Sequence, residues 1–341
     1  MIAFTICSNN YLPKARLLGE SLVQHNPEVR FIIGLVDELD SAIDYQAVGP
    51  FEILPVDQIG IPDFEDMTLR YDLVDFNTAS KPFYFRFLFQ RHAGEKNLKI
   101  CYFDPDIYVY SQLKPIEEAL ERCAVLLTPH ILSPIATDGM HPKEQGFLAF
   151  GLYNLGFCAI RQGPKGDEVV DWWAEHLKHD CRYDCREGLF VDQAWMDLAP
   201  IFFEGVEFSR HPGLNAAYWN LHERRIELKN GQWLVNNEWP LVFFHFSDLA
   251  PKSSEAITRT PNRFTLRERP ELKPLFDEYR SKLEAYDFNR FRALPCYYIQ
   301  RRAGWLREQQ RVYHRQHPFR WLISMLKRSF PKKLKEIIHN A

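Results

Sequence analysis

The chain contains no run of about 18 apolar residues, so no membrane-spanning helix is expected. It is poor in glycine, with 16 in 341 residues, and none follows the first β-prone run, Ile2–Cys7. Ser8-Asn-Asn-Tyr-Leu-Pro13 stands where nucleotidyl-transferring α/β enzymes carry a Gly-rich, basic loop, which argues against that class. No charge sign dominates, and a formal net charge of -3 does not point to a nucleic-acid binder. The seven cysteines are odd in number and scattered. Only Cys181-x-x-x-Cys185 is spaced like half of a zinc site, and no second pair matches it, so ordinary reduced thiols are expected. Met1-Ile-Ala-Phe-Thr-Ile-Cys7 lacks the basic start and long apolar core of a secretory signal, which points to the cytoplasm. Repeats and low-complexity stretches are missing too.

What is present is apolar and aromatic. A hydrophobic fraction of 46% fits a packed globular protein, and 341 residues suffice for one large domain with an appendage. Aromatics reach 14%; such rings favour clefts that stack on bases or sugars, but most of them belong to the core. The chain divides into a body over residues 1–255, a helical extension over 256–300 and a basic tail over 301–341. That tail holds eleven Lys and Arg against two Glu, a formal +9. Trp305, Leu306, Trp321, Leu322, Phe330 and Ile337 interleave with its cations. The pattern predicts basic amphipathic helices broken at Pro318 and Pro331, suited to an anionic membrane surface or, as the alternative, to packing on the chain's own acidic body or on a second subunit.

Apolar runs predict strands at 2–7, 30–36, 51–56, 124–128, 152–160 and 241–246, with helices at 13–25, 77–90 and 168–179 and a helix opening within 189–198. Strand, helix, strand in this order predicts an α/β fold with a mainly parallel sheet flanked by helices. His130 to Gly146, rich in Pro, Gly and charge, predicts a long active-site loop that closes over a ligand.

Lys99-Ile-Cys-Tyr-Phe-Asp104-Pro-Asp106-Ile-Tyr-Val-Tyr110 carries the chemistry. A strand leads into two carboxylates one residue apart, at the sheet edge where α/β folds bind ligands. Such a pair can share one Mg²⁺ or Mn²⁺ and bridge it to phosphates. His245, at the end of an apolar strand, offers an imidazole that suits Mn²⁺. Asn154 and Gly156 combine a sugar-bonding amide with close backbone approach. Asp192 and Gln193 offer a hydroxyl acceptor and a polar group for a reacting carbon, though a carboxylate at a helix start is also a common cap. Arg86 and, less so, Lys81 can neutralise phosphate charge.

In order and spacing, Cys7-Ser-Asn-Asn-Tyr11, Tyr84-Phe-Arg86, Phe103-Asp-Pro-Asp106, Tyr153-Asn-Leu-Gly-Phe157, Asp192-Gln193 and Phe244-His-Phe-Ser247 resemble the GT-A glycosyltransferases. The likeness is greatest to the family-8-like retaining bacterial enzymes, and it spans roughly residues 1 to 255. The resemblance implies a Rossmann-like GT-A fold that transfers a sugar from a nucleotide-sugar, usually of UDP, to a glycan or lipid-linked glycan. It places Ser8, Asn9, Asn10 and Tyr11 at the nucleotide, with Lys81, Arg86, Asn154 and Gly156 at the rest of the donor. Mn²⁺ or Mg²⁺ falls to Asp104, Asp106 and His245, and Asp192 and Gln193 stand at the donor sugar. The sequence departs from the pattern after the histidine: Asp248 occupies a glycine position, and Lys252, the diphosphate lysine, follows its proline rather than preceding it. Asn215, Trp219 and Asn220 are expected on the acceptor side. An inverting enzyme would instead need a carboxylate base, Asp192 first and then Asp138 or Glu144. A sugar-binding scaffold on the same fold is the non-catalytic alternative. Together with the tail, the resemblance suggests a location on the inner face of a membrane.

Overall fold

The computed structural model describes residues 1–251, 255–260 and 262–317. Ile2–Cys7 (β1) is buried along its whole length, as a continuous apolar run in a parallel sheet must be. Pro13 in the first turn starts α1 (Leu12–His25), which lays Leu12, Ala15, Leu18 and Leu22 on the sheet. β2 (Arg30–Leu35) and β3 (Glu52–Pro55) follow, then α2 (Phe64–Arg70), α3 (Leu73–Ala79) and α4 (Lys81–Arg91). The single helix expected over 77–90 is therefore two. Ser80 ends α3, and Pro82 opens α4, because proline fits a first turn and not a helix interior.

β4 (Lys99–Phe103), β5 (Ile107–Val109), α5 (Lys114–Arg122) and β6 (Val125–Pro129) come next. After a loop, α6 (Glu144–Phe150), β7 (Tyr153–Arg161) and α7 (Pro164–Leu177) complete this half. The strands β8 (Tyr183–Asp184) and β9 (Leu189–Phe190) form a small hairpin before α8 (Gln193–Met196), α9 (Ala199–Phe202) and β10 (Val206–Phe208). Residues 189–198 thus hold a short strand and one helical turn.

Seven strands form the central sheet in the order β10-β6-β7-β4-β1-β2-β3. Every pairing is parallel except the two made by β7. One face is covered by α2, α3, α4 and α7 through Met67, Phe76, Phe83 and Trp173. The other is covered by α1 and α5 through Leu18, Leu22, Ile116 and Leu120. This is the expected α/β class with a mainly parallel, helix-flanked sheet.

A second sheet, β11-β15-β5, pairs β11 (Ala216–Ala217) with β15 (Phe243–His245) and sets β15 antiparallel to β5. Between β11 and β15 lies a meander not expected from the apolar runs: β12 (Ile226–Lys229), β13 (Gln232–Val235) and β14 (Trp239–Pro240).

The extension is α10 (Lys273–Ala285), α11 (Phe288–Phe291) and α12 (Tyr297–Gln316). Phe276 and Tyr279 of α10 share a core with Phe244 and Phe246, and the rings of Phe246 and Tyr279 stack at 3.9 Å. Tyr298 packs edge-on between Phe64 and Phe76. The expected boundary at residue 300 falls inside α12. Arg301 pairs with Glu65 and Arg302 bonds the carbonyl of Leu69, so this part of the basic segment lies against the body. The helices expected around Pro318 and Pro331 lie outside the described residues.

Candidate active site

Asp104 follows the last residue of β4, and Asp106 precedes the first of β5, with Pro105 between them. The amide of Asp104 donates to the carbonyl of Gly156 on β7 at 2.7 Å, and Tyr102 donates its hydroxyl to Asp104 Oδ1 at 2.6 Å. His245 enters from β15, where the antiparallel register sets it opposite Ile107. Its Nε2 lies 3.0 Å from Asp106 Oδ1 and 3.6 Å from Asp104 Oδ2.

Two carboxylates and an imidazole, with ligand atoms all within 4.8 Å of one another, fit a hard divalent cation. The cradle around them is also shaped for one. A Cβ on Gly156 would stand 2.4 Å from Cε1 of His245 and 2.8 Å from Oδ2 of Asp104, so only glycine leaves both ligands in place. Nδ1 of His245 is buried and has no partner among the described residues.

Two lysines flank this group. Lys14, on the first turn of α1, sets its Nζ 3.4 Å from Asp106 Oδ2 and 4.5 Å from the Tyr11 ring centre. Burial works against the charge of Asp106, yet Lys14 and His245 hold its carboxyl well below the usual range. Lys14 is absent from the expected site. The signal for it was Pro13, which fixes the helix start and so puts Lys14 beside the loop that follows β1. Lys81 is 2% exposed and donates to the carbonyl of Leu155 at 2.8 Å. It also lies 2.8 Å from Asp192 Oδ2 and 3.9 Å from Asp104 Oδ1. Burial alone would lower its pKa, but the two carboxylates outweigh it and hold the ammonium above its ordinary range.

Of the two expected cations, Lys81 is the one beside the carboxylates. Arg86 lies on the α4 face turned to α7, where it pairs with Asp171 at 2.7 Å, and it does not reach the carboxylates. Five residues along a helix leave a side chain about 140° round from where it began. Lys81 and Arg86 consequently cannot share a face.

Gln193 accepts from the amide of Leu155 at 3.1 Å and donates to the carbonyl of Phe150, which ties α8 to β7 beside Gly156. Asp192 makes no side-chain cap, so its carboxylate serves the Lys81 pair instead.

Other expected residues are committed within the fold. Asn9 donates to the carbonyl of Glu38 at 2.9 Å and accepts from Tyr45 at 2.7 Å, which occupies both ends of its amide. Ser8 donates to Asn10 Oδ1. Asn154 accepts from the Gly156 amide and from Asn215 at 3.0 Å, and its Nδ2 faces His130 Nε2. Asn215 and Asn220, expected on the acceptor side, are both 0% exposed. Asn215 also bonds Thr128, and Asn220 braces the carbonyls of His130 and Asn215. Trp219 is a buried neighbour of the metal-ligand group, its ring edge-on to His245 at 5.2 Å. Lys252 lies outside the described residues. Asp248 has φ 51°, a left-handed conformation that aspartate tolerates better than most residues, so it fills the glycine position.

The loop from His130 is anchored. Leu132 and Ser133 donate to Glu223, Ile135 donates to Glu144 at 2.8 Å, and Asp138 pairs with Arg263 at 2.7 Å. His130, at the head of that loop, stacks on Phe147 and bonds the carbonyl of Leu152, and burial pushes its imidazole down to about 4.

No protein-family model matches the chain. Over 245 residues, 71% of this chain and 80% of the relative, it is 25% identical to the uncharacterized protein YfnF of Bacillus subtilis (strain 168). Over 153 residues, 43% of this chain and 45% of the relative, it is 26% identical to the uncharacterized protein YfnD of the same organism. Among solved structures it is similar to the galactosyltransferase LgtC, crystallised with donor and acceptor sugar analogues, at TM-score 0.48 and 13% identity over 84% of this chain and 96% of that one. It is also similar to the glycosyltransferase GlyE of Streptococcus pneumoniae TIGR4, at TM-score 0.45 and 12% identity over 87% of this chain and 65% of that one.

Proposed function

We propose that this chain is a metal-dependent glycosyltransferase of the GT-A kind, moving a sugar from a nucleotide-sugar, in the first instance a UDP-sugar, to a glycan or lipid-linked glycan. The observation that carries the reading is the convergence of Asp104, Asp106 and His245 around the bare backbone of Gly156. Those three residues would hold Mn²⁺ or Mg²⁺. A divalent cation there offsets the charge of a leaving diphosphate.

The chain's own groups do the rest. Lys14 and Lys81 supply fixed positive charge on either side of the carboxylates, in a buried setting where it acts strongly. Lys81 also fixes Asp192, which accepts a donor-sugar hydroxyl. Gln193 is clamped between Leu155 and Phe150, beside the reacting carbon on the face away from the diphosphate. The acceptor hydroxyl attacks on the leaving-group face, and its proton passes to the departing phosphate oxygen, so configuration is retained. Retention is supported by the state of the alternative bases. Asp192 is paired with Lys81, Asp138 with Arg263, and Glu144 accepts from the Ile135 amide.

No helix among the described residues is long and apolar enough to cross a membrane. The cationic segment after residue 317 is the part that would rest on an anionic surface of the inner leaflet. Equal sedimentation with anionic liposomes of the full chain and a chain ending at residue 317 would remove that part of the reading.

The test is release of nucleotide from UDP-, GDP- and dTDP-sugars in Mn²⁺, Mg²⁺ or EDTA. Metal-dependent release from one donor, lost in Asp106→Ala, supports the reading and names the sugar. Absence of both release and nucleotide binding by calorimetry overturns it.

A further inference from the structure

A cavity of about 940 Å³ opens between α1, β5, α10 and the meander of residues 226–240, apart from the metal-ligand group. Its volume is that of a ligand site. Tyr108 lines it from β5 and Tyr110 from the residue after that strand, and Trp233 and Trp239 line it from the meander. Trp239 is 39% exposed, so a flat indole is available at the mouth. The hydroxyl of Tyr110 is buried without a hydrogen-bond partner among the described residues. A phenol in that state costs stability unless something reaches it.

The polar lining narrows the ligand. Among the described residues, no side-chain hydrogen bond engages the amides of Gln24, Gln112 or Gln232, three groups that both donate and accept. The charged residues are matched in pairs: Lys114 lies 3.7 Å from Glu118, and Lys282 lies 2.9 Å from Glu278. A phosphate would find no unopposed cation here. Aromatic faces with unengaged amides and balanced charge suit a neutral oligosaccharide, whose rings have apolar faces and hydroxyl edges.

We infer that this cavity is a second glycan-binding site. It holds a neutral oligosaccharide away from the metal-ligand group; the choice of a glycan over a proline-rich peptide rests on the transferase reading. Both sites lie on one stretch of chain through β5, with Asp106 just before the strand and Tyr110 just after it. Tyr110 is four residues along from Asp106, roughly 13 Å of extended chain. A glycan held in the cavity is thereby kept near the reacting end of the fold.

The experiment is calorimetric titration of the full chain, in EDTA, with maltohexaose, cellohexaose and chitohexaose, and separately with a proline-rich peptide. At least one hexasaccharide should bind, and either Trp239→Ala or Gln232→Ala should weaken it by about tenfold. Asp106→Ala should bind as the parent does. Both cavity variants change exposed side chains, and an unaltered Tm confirms their folding. The inference is overturned if no hexasaccharide binds, if only the peptide binds, or if both variants bind as tightly as the parent. Trp239→Ala should keep acceptor-free donor turnover, so failure here is distinguishable from failure of the transferase reading.

Discussion

Gly156 acts through what it lacks. In Gly156→Ala, the added methyl must displace His245 or Asp104, both within 3 Å of its position. Calorimetry should find Mn²⁺ binding weakened by about 10–100-fold, the usual effect of disturbing groups that orient metal ligands, with the far-ultraviolet spectrum unchanged. Lys81 and Arg86 give a paired test. Lys81→Met leaves Asp192 buried without its cation and should cost about 3–5 kcal/mol in urea unfolding. Arg86→Met breaks a pair at the surface and should cost at most about 1 kcal/mol, with donor turnover retained. Equal losses in the two variants would refute this contrast between a buried and an exposed pair. The lysine was harder to read than the carboxylates because a charged residue beside five aromatics looks the same in sequence whether its helix face is buried or wet.

At the scale of elements, His130 joins the end of β6 to β7 and α6. Its pKa falls from 6.5 in the unfolded chain to about 4 in the fold, because burial disfavours the charged ring. Between those values the unfolded chain binds a proton that the folded chain does not. This contribution is therefore whole above pH 6.5 and is lost as pH falls towards 4, by up to about 3 kcal/mol. His130→Gln should lose less stability than the parent between pH 7 and pH 4 when unfolding is followed in urea. Elements themselves were legible where burial is continuous: the runs expected as strands at 2–7, 30–36 and 152–160 are β1, β2 and β7 to within a residue. The meander was not, because β12–β14 are two to four residues long and alternate too briefly to register as a pattern. Asn230-Gly231, with φ 51° and 80°, was nevertheless a strong local hairpin signal between Lys229 and Gln232.

For the whole molecule, the division at residue 255 separates parts that share a core. Leu272, Leu275, Phe276 and Tyr279 are at most 1% exposed and close over Phe244 and Phe246. A chain ending at residue 255 should expose that surface, bind the dye ANS and unfold without a cooperative transition; a sharp transition near the parent Tm would show the body to be independent. The sequence suggested an appendage because helical periodicity says which face is apolar and not what it meets. The same limit hid Lys14, whose partner, Asp106, is distant in the chain and near only after α1 packs beside β5.

The ligand side chains hang from two local pairings, Asp104 to the Gly156 carbonyl and His245 opposite Ile107. Neither depends on how many residues separate the partners. Insertions or deletions within 221–240 would leave both registers as they are while reshaping the wall of the aromatic cavity. A change of length in the meander would therefore alter the cavity without moving Asp104, Asp106 or His245.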